Sequence, residues 1–345
     1  MNTQPALFTN DGPPDANILL DLWLDVRSDA DRDPIGLKGE PSYRYFWATW
    51  LKYLKDLKGD DRQPAPIEWY EATPETIIHF LQAGPSARKK NTNVSDITRR
   101  RYWRLLERIY QFAVDNAWID VNPANELNKD EKPPSEDPLA SSMTPAVWRA
   151  MESLIVPPET DDPLKLRDYA LFLTLSELGL MPMEVRMLPL DAVIRNQMKD
   201  GTQYIHALQI DGPGPKQRRR MVVSNRLATA IEMWLLVRNE VAKSPNTKTL
   251  FCTGKGSGVM SADMLLLLAK DLILRAAALA SQPAPIRLGP QLIRNTRLVM
   301  WLNEGTPSAE VAMRAGLKNT KGLHHLRELL NPEIRSRLRD PRDDE

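Results

Sequence analysis

Arginine and lysine carry the clearest chemical signal in this chain. The stretch ARKKNTNVSDITRRRYWRLLERIY, residues 87 to 110, holds Arg88, Lys89, Lys90, Arg99, Arg100, Arg101, Arg104 and Arg108 against Asp96 and Glu107. That local net charge of +6 stands in a chain whose formal net charge is only +1. Arg100, Arg104 and Arg108 recur at i, i+4, i+8, while Tyr102, Leu105, Leu106, Ile109 and Ala113 supply an apolar stripe on another face. A second cluster, Lys216, Arg218, Arg219 and Arg220, lies in DGPGPKQRRR. Guanidinium and ammonium groups in such numbers suit a phosphate backbone, which supplies affinity without reading sequence. By contrast, one cysteine and four histidines offer no zinc site and no disulfide framework. No metal and no cofactor is expected.

Several elements are needed to position these residues. An acidic first segment, residues 1–38, reads as a mobile arm holding one short helix, near Ala16 to Val26. SYRYFWATWLKYLKDL places aromatics at helical spacing, and Thr73-Pro74 starts a helix that Gly84 stops. The basic helix then runs from about Val94 to Asn116. Together these make a helical domain over residues 39–125. ELNKDEKPPSEDPLASSM, residues 126–143, is charged, Pro-rich and aperiodic, so it reads as a linker. From residue 144 to 345 a second, mostly helical domain is expected. It contains a buried helix ending at Leu180 and a β-hairpin of Gln203–Ile210 and Arg220–Val223. Four further helices are expected after the hairpin: Ala228–Ala242, Ala262–Ala280, Pro290–Asn303 and Pro307–Ala315. Trp103, Trp148, Trp234 and Trp301 fall on helices and are assigned to cores. No apolar run approaches the ~20 residues of a membrane span, and the first residues lack the pattern of a signal peptide. The expectation is a cytoplasmic, nucleoid-associated chain with no membrane or small-molecule partner.

With these pieces in order, the chain resembles the tyrosine recombinase (phage integrase) family over about residues 40 to 330. TRRRYWRLLERIYQFAVDNAWIDVNPA, residues 98 to 124, is close to that family's basic helix and closing Asn-Pro. The resemblance implies a mainly α fold: a helical, SAM-like core-binding domain, and a catalytic-type domain with a small antiparallel sheet. It further implies a protein that clamps duplex DNA. In that family a tyrosine attacks the phosphodiester while two arginines, a hairpin lysine and histidine-type residues hold the phosphate.

Those positions are mostly altered here. The box Gly-Leu-Arg-x-x-Glu reads Gly179-Leu180-Met181-Pro182-Met183-Glu184. The hairpin box Gly-Lys-Gly-x-Lys-x-Arg reads Gly212-Pro213-Gly214-Pro215-Lys216-Gln217-Arg218, so its first lysine falls on Pro213 and Lys216 matches the second; a one-step shift would make Lys216 the catalytic one. His-x-Leu-Arg-His reads Gln291-Leu292-Ile293-Arg294-Asn295, and Leu-Gly-His reads Ala315-Gly316-Leu317. The nucleophile position falls near Leu326, and no tyrosine follows Tyr204. Only Arg294 clearly remains, as a phosphate contact or as a buried structural partner, for instance of Glu184.

The leading expectation is therefore a DNA-binding protein without strand-transfer activity, accessory to recombination or integration of a mobile element. It would bind double-stranded DNA and pair with itself or with related recombinases. Two other readings stand beside it. One is an active recombinase with an unusual nucleophile, for which His324 and His325 lie near the right place. The other is a protein-interaction module on the same scaffold, its acidic arm binding a partner or masking the basic groove. A nicked suicide duplex that traps 3′-phosphoprotein adducts is expected to give no covalent complex, and a denaturation-resistant adduct would favour the unusual nucleophile.

Overall fold

The computed structural model describes residues 12–28, 40–57, 66–83, 94–128, 130–133, 140–160, 162–212, 217–242, 247–254 and 258–336. The chain divides into two compact units, Met1–Pro138 and Leu139–Glu345.

In the first unit, four helices share one aromatic-rich core: α1 (Ala16–Ser28), α2 (Glu40–Asp56), α3 (Pro74–Ala83) and α4 (Asp96–Asp115). Ser95 caps α4 by accepting from the Thr98 N–H, one of the donors a helix start leaves unpaired. The apolar face of α4, from Tyr102 through Ala113, is buried against α1, α2 and α3. Tyr110 sits at the centre. Its hydroxyl accepts from Trp50 Nε1 at 3.2 Å and donates to the Trp69 carbonyl at 2.8 Å, and burial pushes its pKa up. This chain of bonds buries the Trp50 and Tyr110 side chains without orphaning their polar tips.

One expectation is corrected here. Part of the supposed mobile arm, helix α1, belongs to the core. Leu19, Leu20, Trp23 and Leu24 are buried, and the indoles of Trp47 and Trp69 donate to the Ala16 and Pro14 carbonyls at 2.9 Å. The acidic residues of α1 had disguised an apolar stripe at i, i+1, i+4, i+5. Residues 12–15 lead into α1, and the rest of the proposed arm, residues 1–11 and 29–38, lies outside the described residues.

The second unit is built around α6 (Pro163–Leu178), which has no polar face. Ten of its sixteen residues are buried, so it must be covered on all sides. It packs beside α8 (Asn225–Ala242) and α10 (Pro290–Asn303), while α5 (Pro145–Leu154) packs on α9 (Ala262–Leu279). Gly179 ends α6 at φ +55°, a left-handed C-cap, and α7 (Pro182–Met187) follows after two residues. The sheet has the order β1-β2-β3, antiparallel, from Val193–Gln197, Gln203–Ile210 and Arg219–Val222. The hairpin pairs Ile210 with Arg219 and Leu208 with Met221. Strand β1 was not anticipated, because its last three residues are exposed and polar. After α10 the chain makes α11 (Ser308–Arg314), a 3₁₀ segment (Thr320–Leu329) and the short α12 (Pro332–Arg335).

The proposed linker is anchored at both of its ends. Leu127 is buried in the first core and Met143 in the second. Lys132 donates to the Asn125 carbonyl at 3.2 Å and lies over Trp103. Trp148, Trp234 and Trp301 are buried as expected, and Trp103 is half-buried. Among the described residues no helix is long and apolar enough to cross a membrane.

Leu19→Ala should destabilise the first unit by about 2–5 kcal/mol, the range for a buried leucine truncation, read as a lowered urea midpoint. A loss under about 0.5 kcal/mol would restore the picture of α1 as part of an arm.

Candidate nucleic-acid interface

The basic helix keeps its charge outside, though not on the stripe read from the sequence. Arg101, Arg104 and Arg108 are exposed, and at i, i+3, i+7 they share one face of α4. Arg99 is half-buried and pairs with Asp96 at 3.3 Å. Arg100, expected on the outer stripe, is instead buried, 5% exposed. At that burial it leaves the set of surface contacts. Arg88, Lys89 and Lys90 lie outside the described residues, as do Pro213 and Lys216 at the hairpin tip.

On β3 the strand period sorts the arginine run. Arg220 is exposed. Arg218, just before the strand, is exposed and pairs with Asp211 at 3.1 Å. Arg219 points inward and is buried. Its guanidinium meets the Glu184 carboxylate on α7 in bidentate fashion, at 2.7 and 2.9 Å. Nε donates to the Arg314 carbonyl at 2.7 Å. The same carboxylate accepts from the Met181 N–H at 2.8 Å, closing the first turn of α7 where the methionine side chain cannot cap. Arg219 therefore cannot serve as the surface phosphate contact expected of it. The Glu184 partner considered for Arg294 is Arg219.

Arg294 is buried too, and it works on backbone. It donates to the Gly179 carbonyl at 2.5 Å and to the Ala315 carbonyl at 2.7 Å. It thus binds the α6 C-cap to the turn after α11. Burial pulls its pKa down to about 10, Glu184 opposing and Arg219 adding to the fall; it stays protonated at neutral pH. In a residue only 4% exposed, these are the bonds of a structural partner, made to Gly179 and Ala315 and not to Glu184.

The boxes read from the sequence do meet in space. Gly179 and Met181, Glu184, Arg219, Arg294 and the Arg314–Gly316 turn form one hydrogen-bonded cluster. Gly316, at φ +68°, lies so close that an added Cβ would stand 2.4 Å from Arg219 Nη1. Beside the cluster is a cleft of about 170 Å³ lined by residues including Ser141, Pro182, Leu266, Arg287, Gln291 and Asn295. Arg287 is the one ionisable group among the described residues lining it. Gln291 donates to Asn295 at 2.8 Å, Leu317 is half-buried, and Leu326 is fully buried. His325 Nδ1 lies 2.9 Å from the Gly322 carbonyl in its own 3₁₀ turn. The guanidiniums of Arg219 and Arg294 are engaged by a carboxylate or by carbonyls, and Leu326, near which the resemblance put the nucleophile, is a buried hydrocarbon side chain. Among the described residues no group of three His, Cys, Asp or Glu side chains is placed to hold a metal ion.

No protein-family model and no curated protein matches the chain. Solved structures do match it in fold. The integrase of transposon Tn1549, in complex with a circular intermediate DNA, superposes with a TM-score of 0.61 at 16% identity, over 90% of this chain and 94% of that one. The XerH site-specific recombinase bound to its difH substrate gives 0.60 at 14%, over 91% and 82%. A lambda integrase dimer bound to a core site gives 0.53 at 12%, over 97% and 80%. The mainly helical architecture with its small antiparallel sheet is therefore the tyrosine recombinase fold.

Arg219→Met should cost about 3–5 kcal/mol in urea unfolding, because it strands a buried carboxylate. Adding Glu184→Leu should recover much of that loss. A single-variant cost below about 1 kcal/mol, the level of an exposed pair, would mean that the pair is not desolvated.

Proposed function

We propose that this chain binds duplex DNA on a tyrosine recombinase scaffold without cutting it, as an accessory factor in recombination or integration of a mobile element. The observation that carries the reading is the exposed face Arg101, Arg104 and Arg108 on α4, joined by the exposed Arg218 and Arg220 at the hairpin. Arg88, Lys89, Lys90 and Lys216 are assigned to DNA contact from the sequence alone. Support also comes from the DNA complexes among the structures that share the fold.

Binding and cleavage separate here on physical grounds. Backbone affinity needs only exposed cations, each releasing condensed counterions. Cleavage needs a nucleophile and donors aimed at the transition state, and one such donor is worth about 10²–10³ in rate. In this protein Met181, Gln291 and Leu317 are not charged donors, Arg294 is internally satisfied, and no tyrosine follows Tyr204. The protein would then act where DNA is, in the cytoplasm or nucleoid, and by holding DNA or pairing with active recombinases.

Gel-shift titration of duplex DNA across salt tests this. The triple variant Arg101→Ala, Arg104→Ala, Arg108→Ala should reduce the slope of log K against log salt by about 2–3, near 0.9 for each lost phosphate contact. A wild-type protein that binds no duplex at low salt, or whose slope the triple variant leaves intact, sinks the proposal and favours the protein-interaction reading.

A further inference from the structure

The residues at the former second-box positions have polar contacts that the DNA-binding role does not use. Asn295, buried at 6% exposure, donates to the Ser141 carbonyl at 3.3 Å while accepting from Gln291. Next to it, the buried hydroxyl of Thr296 accepts the Met143 N–H at 2.9 Å and donates to the Leu292 carbonyl at 2.7 Å. Thr144 Oγ1 donates to Gln282 Oε1 at 2.5 Å. Four consecutive residues, 141 to 144, follow directly on the segment that joins the two units. Three of them are tied to α10 or to the end of α9, and the Met143 side chain is buried in the core.

We infer that Asn295, Thr296 and Gln282 form a latch that fixes the inter-unit connection to the second unit and so sets its usable length. Two amide side chains standing where the resembled family carries histidines have thereby acquired a mechanical role. Gln291 orients Asn295, and Asn295 holds the strand. Covalent geometry gives the scale. From Lys132, held on Trp103, to Ser141 the chain spans at most about 30 Å; freed as far as Pro145 it spans about 45 Å. Two DNA-contacting units on a shorter tether raise each other's effective concentration on the same duplex, which falls at least as the 3/2 power of tether length. The clamping part of this inference rests on the DNA-binding reading above. The latch itself does not.

The test uses the full chain. Limited elastase digestion, followed by mass spectrometry, reads opening of residues 140–144 in the absence of DNA. Thr296→Val and Gln282→Ala should each speed cleavage there, the buried Thr296→Val by about tenfold, while Thr296→Ser, which keeps the hydroxyl, should leave the rate near wild type. Gln282 is partly exposed, so its variant keeps the test open if Thr296→Val unfolds. Circular-dichroism melting identifies that case. Unchanged cleavage in the folded variants overturns the latch. In parallel, dissociation from duplex DNA should be about twofold faster or more for the opened variants. Opened variants with wild-type dissociation rates overturn the clamping role. Absence of DNA binding by the wild-type chain overturns the functional reading, with the digestion result still deciding the latch.

Discussion

The buried carboxylate of Glu184 constrains the second unit more than any other single group. A carboxylate carried to 6% exposure needs a cation and hydrogen bonds, or it would be driven to protonate. Arg219 supplies both through two parallel bonds, and the Met181 N–H supplies a third. Meeting that demand fixes the inward face of β3, the start of α7 and, through Arg219 Nε, the carbonyl at the end of α11. Arg294 then joins two of the same turns from behind, on carbonyls. Burial is the main reason that Arg294 carries a lowered pKa, with the neighbouring Arg219 charge adding to the fall and Glu184 opposing it.

Buried arginine is a recurring device in this unit. Arg238 donates to the carbonyls of Thr247, Thr249 and Leu250, and Arg167 to that of Cys252. A guanidinium presents five donors in a rigid plane, so one side chain satisfies several loop carbonyls that no strand or helix pairs. The unit therefore has few long sheet ladders yet leaves irregular segments such as 247–253 well bonded. An arginine count alone overstates its cationic surface, because several of these charges face inward.

On the proposed reading, this division is what separates holding DNA from cutting it. Groups that bind a backbone sit on an exposed helical face and depend little on one another. A cleavage centre needs several groups converging within ångströms. Here the boxes read from the sequence meet in a structural cluster whose two arginines bind carbonyls and the Glu184 carboxylate. The asymmetry follows from packing, since the turns must be held together whether or not a phosphate is bound.

The helix start at Thr73-Pro74, the hairpin, and the order of boxes were legible in the sequence because caps, prolines and periodicity act locally. So was the absence of a late tyrosine, which needs no geometry at all. The inward turn of Arg219 was readable in principle: a period of two with Met221 and Val223 sends it to the core side, but three adjacent arginines read more readily as a charged patch. The burial of Arg100, the use of α1 in the first core and the orientation of Arg294 were decided only by tertiary structure. The last two depend on partners distant in sequence: Trp47 and Trp69 for the α1 segment, and Gly179 and Ala315 for Arg294. Local pattern determines which residues are charged and where elements begin. Whether a charge faces water or a carbonyl is determined by what the fold packs against it, through the cost of leaving a buried polar group without a partner.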